Sequence, residues 1–470
     1  MNGVTMHAKQ VFGFVAMFVC VAAGMLIPGS DMLGHEGILA LAILAGAIFM
    51  WFCGSMSTGM TGVLACFLLL VLGVVPTFGD AFSGFITTTT WFVLGVFCMT
   101  LLMQKSTLGL RLTKRFIVLA KGDSKRLVLM LMAAAAVISS FMTDTGAVAL
   151  MMSFALPLLD TLGAKKGSSN LGRCLLLGVS FGALFGGFTT PIGHSLNVLA
   201  AGLYTQATGL QINFLSWMSY GIPICVAILP IAWFALIKAF PPEHITEDAV
   251  QEVLGSKFET GPMNALDKKC LALLIILPTL WILGNWIPLF NATTVALAGM
   301  LLLFFPGISI VTWSEFERAT SWNLFMFFGG VLSIGAAIAS TGAADFIATL
   351  FLQSGITEMP VFAALLAIAA FLYLLHTFCP ISPSWVAIFL PPMMTYATVV
   401  GIPPFLPAFL IVCLIAGSYL VPLCPALNMT FDTGWYKFSD TAKAGWFTSI
   451  AFVVIAVAWS YAMGGILGIH

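Results

Sequence analysis

Ser139-Ser140-Phe141-Met142-Thr143-Asp144-Thr145-Gly146 is a short polar stretch between two apolar runs, Leu127 to Ile138 and Ala147 to Leu159. Each run is shorter than the ~20 residues a spanning helix needs. Two such runs joined by hydroxyls, a carboxylate and a glycine predict a re-entrant hairpin with its tip at membrane depth. Irregular backbone persists there only where protein buries it or it lines a cavity. An ionisable residue at that depth is a functional-site candidate by default, which puts Asp144 first.

Composition points the same way. The chain is 60% hydrophobic and 8% charged, with a mean hydropathy of +1.07, which excludes an ordinary soluble domain. Its net charge of zero gives no electrostatic case for nucleic acid. The ten cysteines are scattered without C-x-x-C or metal spacing and read as small core residues. Val11 to Pro28 reads as the first span, since no clear small-x-small cleavage site ends it.

Working outward, apolar segments fall near 10–28, 36–53, 58–76, 88–104, 127–159, 172–203, 214–240, 268–288, 292–311, 322–339, 360–400, 406–430 and 443–466. Taking 127–159 and 360–400 as re-entrant hairpins leaves about eleven transmembrane helices in an all-α polytopic membrane protein. With the N-terminus cytoplasmic and the C-terminus extracytoplasmic, all 18 Lys and Arg residues fall on the inner side, as the positive-inside rule asks. Counting either hairpin as one span breaks that pattern. Five units follow: scaffold helices with a basic amphipathic arm (1–126); a first hairpin, broken helix and helix (127–240); a cytoplasmic linker (241–267); further scaffold (268–359); and a second hairpin, broken helix and last helix (360–470).

The halves repeat. Trp91 with its apolar run matches Trp322, and Pro191-Ile192-Gly193-His194-Ser195-Leu196-Asn197 matches Pro422-Leu423-Cys424-Pro425-Ala426-Leu427-Asn428, both 231 positions on. Thr143-Asp144-Thr145 matches Ser382-Pro383-Ser384 at 239. An odd number of crossings between them makes the repeats inverted, and helices interrupted at matching places mark the binding site of a secondary transporter. The second arm of each hairpin starts at its tip, so its free N–H groups face the site. Thr143, Thr145, Ser382 and Ser384 add hydroxyls, while Asn197 and Asn428 are placed to brace the helix breaks. With no Lys or Arg at membrane depth, an anion there is held by neutral donors, helix ends and co-bound cations. His194 is a candidate donor to a substrate carboxylate. His376 reads rather as a structural residue, and Trp385 as a pocket wall or a packing residue.

At these residues the chain resembles the divalent anion:sodium symporter family over nearly its full length. Gly186-Gly187-Phe188-Thr189-Thr190-Pro191-Ile192-Gly193-His194-Ser195-Leu196-Asn197 follows the family's first broken-helix stretch, and Cys424-Pro425-Ala426-Leu427-Asn428 the second. The resemblance implies a homodimer in the inner membrane, working by an elevator mechanism on small di- or tricarboxylates or sulfate, coupled to Na⁺ and requiring no organic cofactor. It implies a sodium ion held by Ser139, Thr143, Asp144 and Gly193, oxygen ligands that suit a hard cation. A second sodium site would rest on backbone at Ile381, Pro383 and Cys424, and it is degraded. Pro383 offers no amide, and Phe378 stands where a hydroxyl is usual. Asp144 replaces the family's Asn, and His194-Ser195 replaces Thr-Pro. Asp144 is therefore expected either to stay ionised against a sodium ion or to carry a proton, with helix capping as the plain alternative.

The function expected is a cation-coupled carrier of succinate-, malate- or fumarate-class dicarboxylates. Alternatives are a proton-coupled or exchange-type permease, including for sulfate or citrate, or a sodium/proton antiporter. An enzyme is not expected: there is no metal-spaced cluster, and Ser and His near the tips lack a third partner.

Overall fold

A computed structural model describes residues 8–257, 261–353, 355–379 and 382–467, and among these there are helices and turns but no strand. Eight helices are long and apolar enough to cross a membrane, or nine if Thr88–Lys105 and Leu108–Leu119, bent by 62°, form one span. Several of the expected spans, among them Thr58–Val71 and Ala292–Phe304, are shorter apolar helices.

The hairpin arms are longer than their apolar runs suggest. The first hairpin has arms Ser124–Ser139 and Asp144–Thr161, the second Val361–Phe378 and Ser382–Val400. At the start of the first arm, the Asp123 carboxylate accepts the Arg126 backbone N–H at 2.7 Å. That cap lets the helix begin three residues before the apolar run. Both arms of the second hairpin are long enough to span. Arm length therefore does not mark the hairpins as re-entrant.

Both broken helices appear where Pro and Gly interrupt the apolar pattern. The first is Asn170–Gly187 followed by Ser195–Thr208, the second Phe405–Ile415 followed by Pro425–Phe431. Asn170–Gly187 is buried on almost every side and packs on the first hairpin's first arm. The seam is a row of glycines one turn apart. A Cβ at Gly182 would collide with Met132 O, and one at Gly186 with Ala136 O. Small residues at this spacing let two helix backbones approach without an intervening side chain, as membrane helix pairs require.

The two halves interlock. Ser195–Thr208 packs against the second hairpin's Ser382–Val400, and Pro425–Phe431 packs against the first hairpin's Asp144–Thr161. Each broken helix thus reaches across to the other half's hairpin. Between the remaining helices the exchange recurs, with Thr88–Lys105 on Ala292–Phe304 and Trp322–Ser340 on Thr58–Val71.

The linker is more ordered than its composition suggests. Within 241–267 lies a helix, Glu247–Lys257, whose Val250 and Leu254 are buried against the first hairpin's second arm. Before it, Glu243 receives the backbone N–H of Asn170 at 2.7 Å and of Leu171 at 2.6 Å, and the Ser169 hydroxyl at 3.3 Å. Burial raises the pKa of this carboxyl, but those hydrogen bonds outweigh it and hold it below the ordinary carboxylate value. A bent arm, Leu108–Leu119, is tied down by Asp267, which accepts the Thr107 N–H and hydroxyl, both at 2.8 Å.

Candidate binding site at the first tip and first helix break

The chain leaves the first arm at Ser139, turns through Ser140 to Met142, and re-enters helix at Asp144. Thr143 is the cap: its hydroxyl accepts the Gly146 N–H at 3.4 Å, and the Thr145 hydroxyl lies 3.5 Å from it. Asp144 is therefore the first helical residue and not the cap, so its carboxylate serves another purpose. It is buried, and its Oδ2 lies 3.6 Å from Nε2 of His194, beyond hydrogen-bond length.

His194 is itself a cap. Its Nδ1 accepts the Leu196 N–H at 3.0 Å, closing the N-terminus of Ser195–Thr208. A ring nitrogen that accepts carries no proton, so this bond places the neutral ring's proton on Nε2, facing Asp144. The expectation of a free histidine donor is thereby narrowed, because one nitrogen is spent on the helix and the other points at the carboxylate. Ser195 follows as the first helical residue, half-buried.

Around Gly187 and Gly193 backbone and hydroxyl oxygens converge at close approach. A Cβ at Gly193 would lie 2.6 Å from Gly187 O and 2.8 Å from Ser139 O. One at Gly187 would lie 3.4 Å from Gly193 O and 3.5 Å from Ser139 Oγ. The Ser139 hydroxyl is fully buried and has no hydrogen-bond partner among the described residues. Buried hydroxyls are ordinarily paired, and an unpaired one beside converging carbonyls fits a hard cation. Asn197 ties this turn together: its Nδ2 donates to Gly187 O at 2.8 Å and to Thr190 O at 2.7 Å.

Three hydroxyls missing from the sequence-derived site brace this turn. Ser140 Oγ and Thr189 Oγ1 are 2.7 Å apart, and Thr190 Oγ1 donates to Ser140 O at 2.6 Å while accepting the Gly193 N–H at 3.1 Å. The signal was present, since Thr189 and Thr190 stand inside the glycine-rich stretch and Ser140 inside the tip.

The second half is built differently. Asn428 is exposed with no side-chain hydrogen bond among the described residues, so it does not brace the second break as Asn197 braces the first. Pro425 opens the short helix after that break and is exposed; Cys424 is its buried N-cap and gives no side-chain bond. Of the degraded second cation site, Ile381 lies outside the described residues, Pro383 is half-buried, and Phe378 points outward at 74% exposure. Thr377 turns inward instead and receives the Ser418 hydroxyl at 3.2 Å. Ser382 opens the second arm, half-buried, and the Ser384 hydroxyl is buried without a partner. His376 is fully buried with neither ring nitrogen bonded among the described residues. Trp385 donates its indole N–H to Cys379 O at 2.7 Å and so braces the tip. Among the described residues no hydrogen bond or ion pair joins Ser382 or Ser384 to the first tip.

A family model described as "Sodium:sulfate symporter transmembrane region" matches residues 8–470. An uncharacterized transporter of Haemophilus influenzae is 26% identical over 441 residues, covering 90% of each chain. The sodium-dependent dicarboxylate transporter SdcS of Staphylococcus saprophyticus is 24% identical over 489 residues, covering 98% of this chain and 93% of its own. In fold, the chain is similar to the Alcanivorax borkumensis YdaH transporter (TM-score 0.59, 13% identity, 98% of both chains). It is also similar to Neisseria gonorrhoeae MtrF (TM-score 0.56, 13% identity, 97% of this chain and 95% of the other).

Proposed function

The chain belongs to the sodium:sulfate symporter family, the divalent anion:sodium symporters, and from that premise we propose that it carries small dicarboxylates across the inner membrane with sodium. The observation that carries this reading is the convergence of Gly187 O, Gly193 O and Ser139 O beside the unpaired Ser139 hydroxyl. In this reading Ser139, Gly187 and Gly193 supply oxygens to a sodium ion, joined by Thr143 and Asp144 from the tip. The ion's charge, with the N-terminus of Asp144–Thr161, draws a dianion to the tip hydroxyls without any buried Lys or Arg. The similarity to a sodium-dependent dicarboxylate transporter supports the same choice of ion and substrate class.

The elevator mechanism, the homodimer, the eleven-span topology with its cytoplasmic N-terminus, and the scaffold and transport domains belong to this proposal. The interlocked hairpins and broken helices support it, since they form one unit able to move as a body. The contact of Asp144 with His194 favours a second reading, in which a proton takes the place of sodium.

Proteoliposome uptake decides between them. Labelled succinate should accumulate under an inward sodium gradient and fail to accumulate when choline replaces sodium. Accumulation driven by an inward proton gradient without sodium would establish the second reading. Absence of uptake of succinate, malate and fumarate under either gradient would overturn the substrate class.

A further inference from the structure

A groove of about 340 Å³ lies between the bent arm Leu108–Leu119, the first hairpin's first arm and the helix Ala265–Leu283. Its wall is apolar, with Leu112 from the arm, Val137 and Phe141 from the hairpin, and Leu271 and Ile275 from the third helix. Val137, Leu271 and Ile275 are themselves well exposed, so the groove opens sideways onto the lipid-facing surface and not into the protein. Two arginines, Arg111 and Arg115, line it.

These two cations differ. Arg111 is spent inside the protein: it lies 3.6 Å from Asp267 and donates to Thr107 Oγ1 at 2.8 Å and to Gly261 O at 2.7 Å. Arg115 is exposed and makes no hydrogen bond or ion pair among the described residues. Lys268 stands one helical turn before Leu271, on the helix face that lines the groove, and is likewise exposed and unpaired among the described residues. Among the described residues the groove thus has one unpaired cation in its lining, Arg115, with a second, Lys268, one turn before Leu271 on the same helix.

We propose that this groove binds an anionic phospholipid, its headgroup phosphate between Arg115 and Lys268 and an acyl chain along Leu271, Ile275 and Val137. A zwitterionic lipid matches the apolar wall equally well but presents its own cation to the two basic side chains. Preference for the anionic headgroup is therefore the distinguishing property. Phe141 belongs to the tip, two residues before the Thr143 cap, so a lipid seated here touches both the hairpin and the helix that begins the second half. Its presence would hold the first tip against Ala265–Leu283.

The test uses the full-length protein, purified from vesicles of equal phosphatidylglycerol and phosphatidylcholine, with retained lipid counted by native mass spectrometry. The wild type should retain phosphatidylglycerol about thirtyfold over phosphatidylcholine, the preference two membrane-facing cations supply. Arg115→Gln with Lys268→Gln should lose that preference. Arg115→Lys with Lys268→Arg should keep it, which separates lost charge from a folding defect. Lys165→Gln with Lys166→Gln, which removes two positive charges elsewhere, should also keep it. Ile275→Trp, with both charges present, should lower retention by blocking the acyl path. Equal retention of the two lipids by the wild type, or undiminished preference in the double glutamine variant, would overturn the proposal.

Discussion

Replacing an amide by a carboxylate at position 144 changes what the first tip can hold, and the surrounding contacts show where the added charge is directed. Thr143 caps the helix, leaving the carboxylate free to face His194 and, in the proposed function, a cation. Asp144→Asn should therefore fold normally, because the cap remains, while sodium affinity falls about tenfold with the loss of a charged ligand. Isothermal titration of sodium into purified protein measures this, and unchanged affinity would remove Asp144 from the cation site. Ser139→Ala gives a sharper contrast. Deleting a buried hydroxyl that has no protein partner should leave thermal stability without sodium unchanged or slightly raised. The same variant should lose the stabilisation that sodium confers; if it keeps it, the hydroxyl is only a packing defect. Asn197→Leu removes the donor for two buried carbonyls and should cost about 3 kcal/mol in stability whatever the ion present. Chemical denaturation in detergent would reveal it.

At the level of elements, the tips and breaks were legible because Pro, Gly, Ser and Thr interrupt otherwise continuous apolar runs, and the bilayer forbids such interruptions without cause. Less legible was what each interruption does. The sequence gives no sign that His194 caps a helix through Nδ1, since that depends on the ring's orientation after the chain has turned. Nor could sequence tell Asn197 from Asn428: both follow a proline-marked break, yet one is buried between two carbonyls and the other is exposed. The linker helix was hidden by its charges, although Val250 and Leu254 at helical spacing gave a weak signal. Two predictions belong at this scale. Gly186→Ala drives a methyl group into the Ala136 carbonyl and should cost about 2 kcal/mol, read as earlier thermal unfolding. Glu243 caps Asn170–Gly187 as a carboxylate with a lowered pKa, so its stabilisation is full above the unfolded value and is lost as pH falls through the folded one. Lowering the pH from 6 to below 4.5 should therefore narrow the stability gap between wild type and Glu243→Gln. A gap that stays constant would show that the charge contributes nothing. For Glu315 the loss should begin in the same range and continue down to about pH 2, because hydrogen bonding from Lys105 lowers its pKa to about 2.

For the whole molecule, the exchange of hairpins and broken helices between halves means that neither half builds a complete unit alone. Ser180 of the first half bonds Ala426 O at 3.2 Å and lies 2.8 Å from the Thr430 hydroxyl of the second, at the core of this crossing. Such a crossing ties the two breaks and the first hairpin together by direct contacts, the unit that the proposed domain movement would carry. The asymmetry between halves is equally informative. The first tip has converging oxygens, an acid and a braced break, whereas the second has Pro383, an exposed Asn428 and a His376 that is unpaired among the described residues. This asymmetry supports our proposal of one strong cation site and one weak one. The most direct measurement is thermal stabilisation of purified protein by succinate, malate, fumarate and 2-oxoglutarate, with citrate and sulfate as outliers. Each is tested in sodium and in choline, at pH 6 and pH 8, for wild type and Asp144→Asn. The account predicts dicarboxylate stabilisation that needs sodium, is similar at both pH values and is weakened in the variant. Stabilisation that is indifferent to sodium and stronger at pH 6 would contradict it.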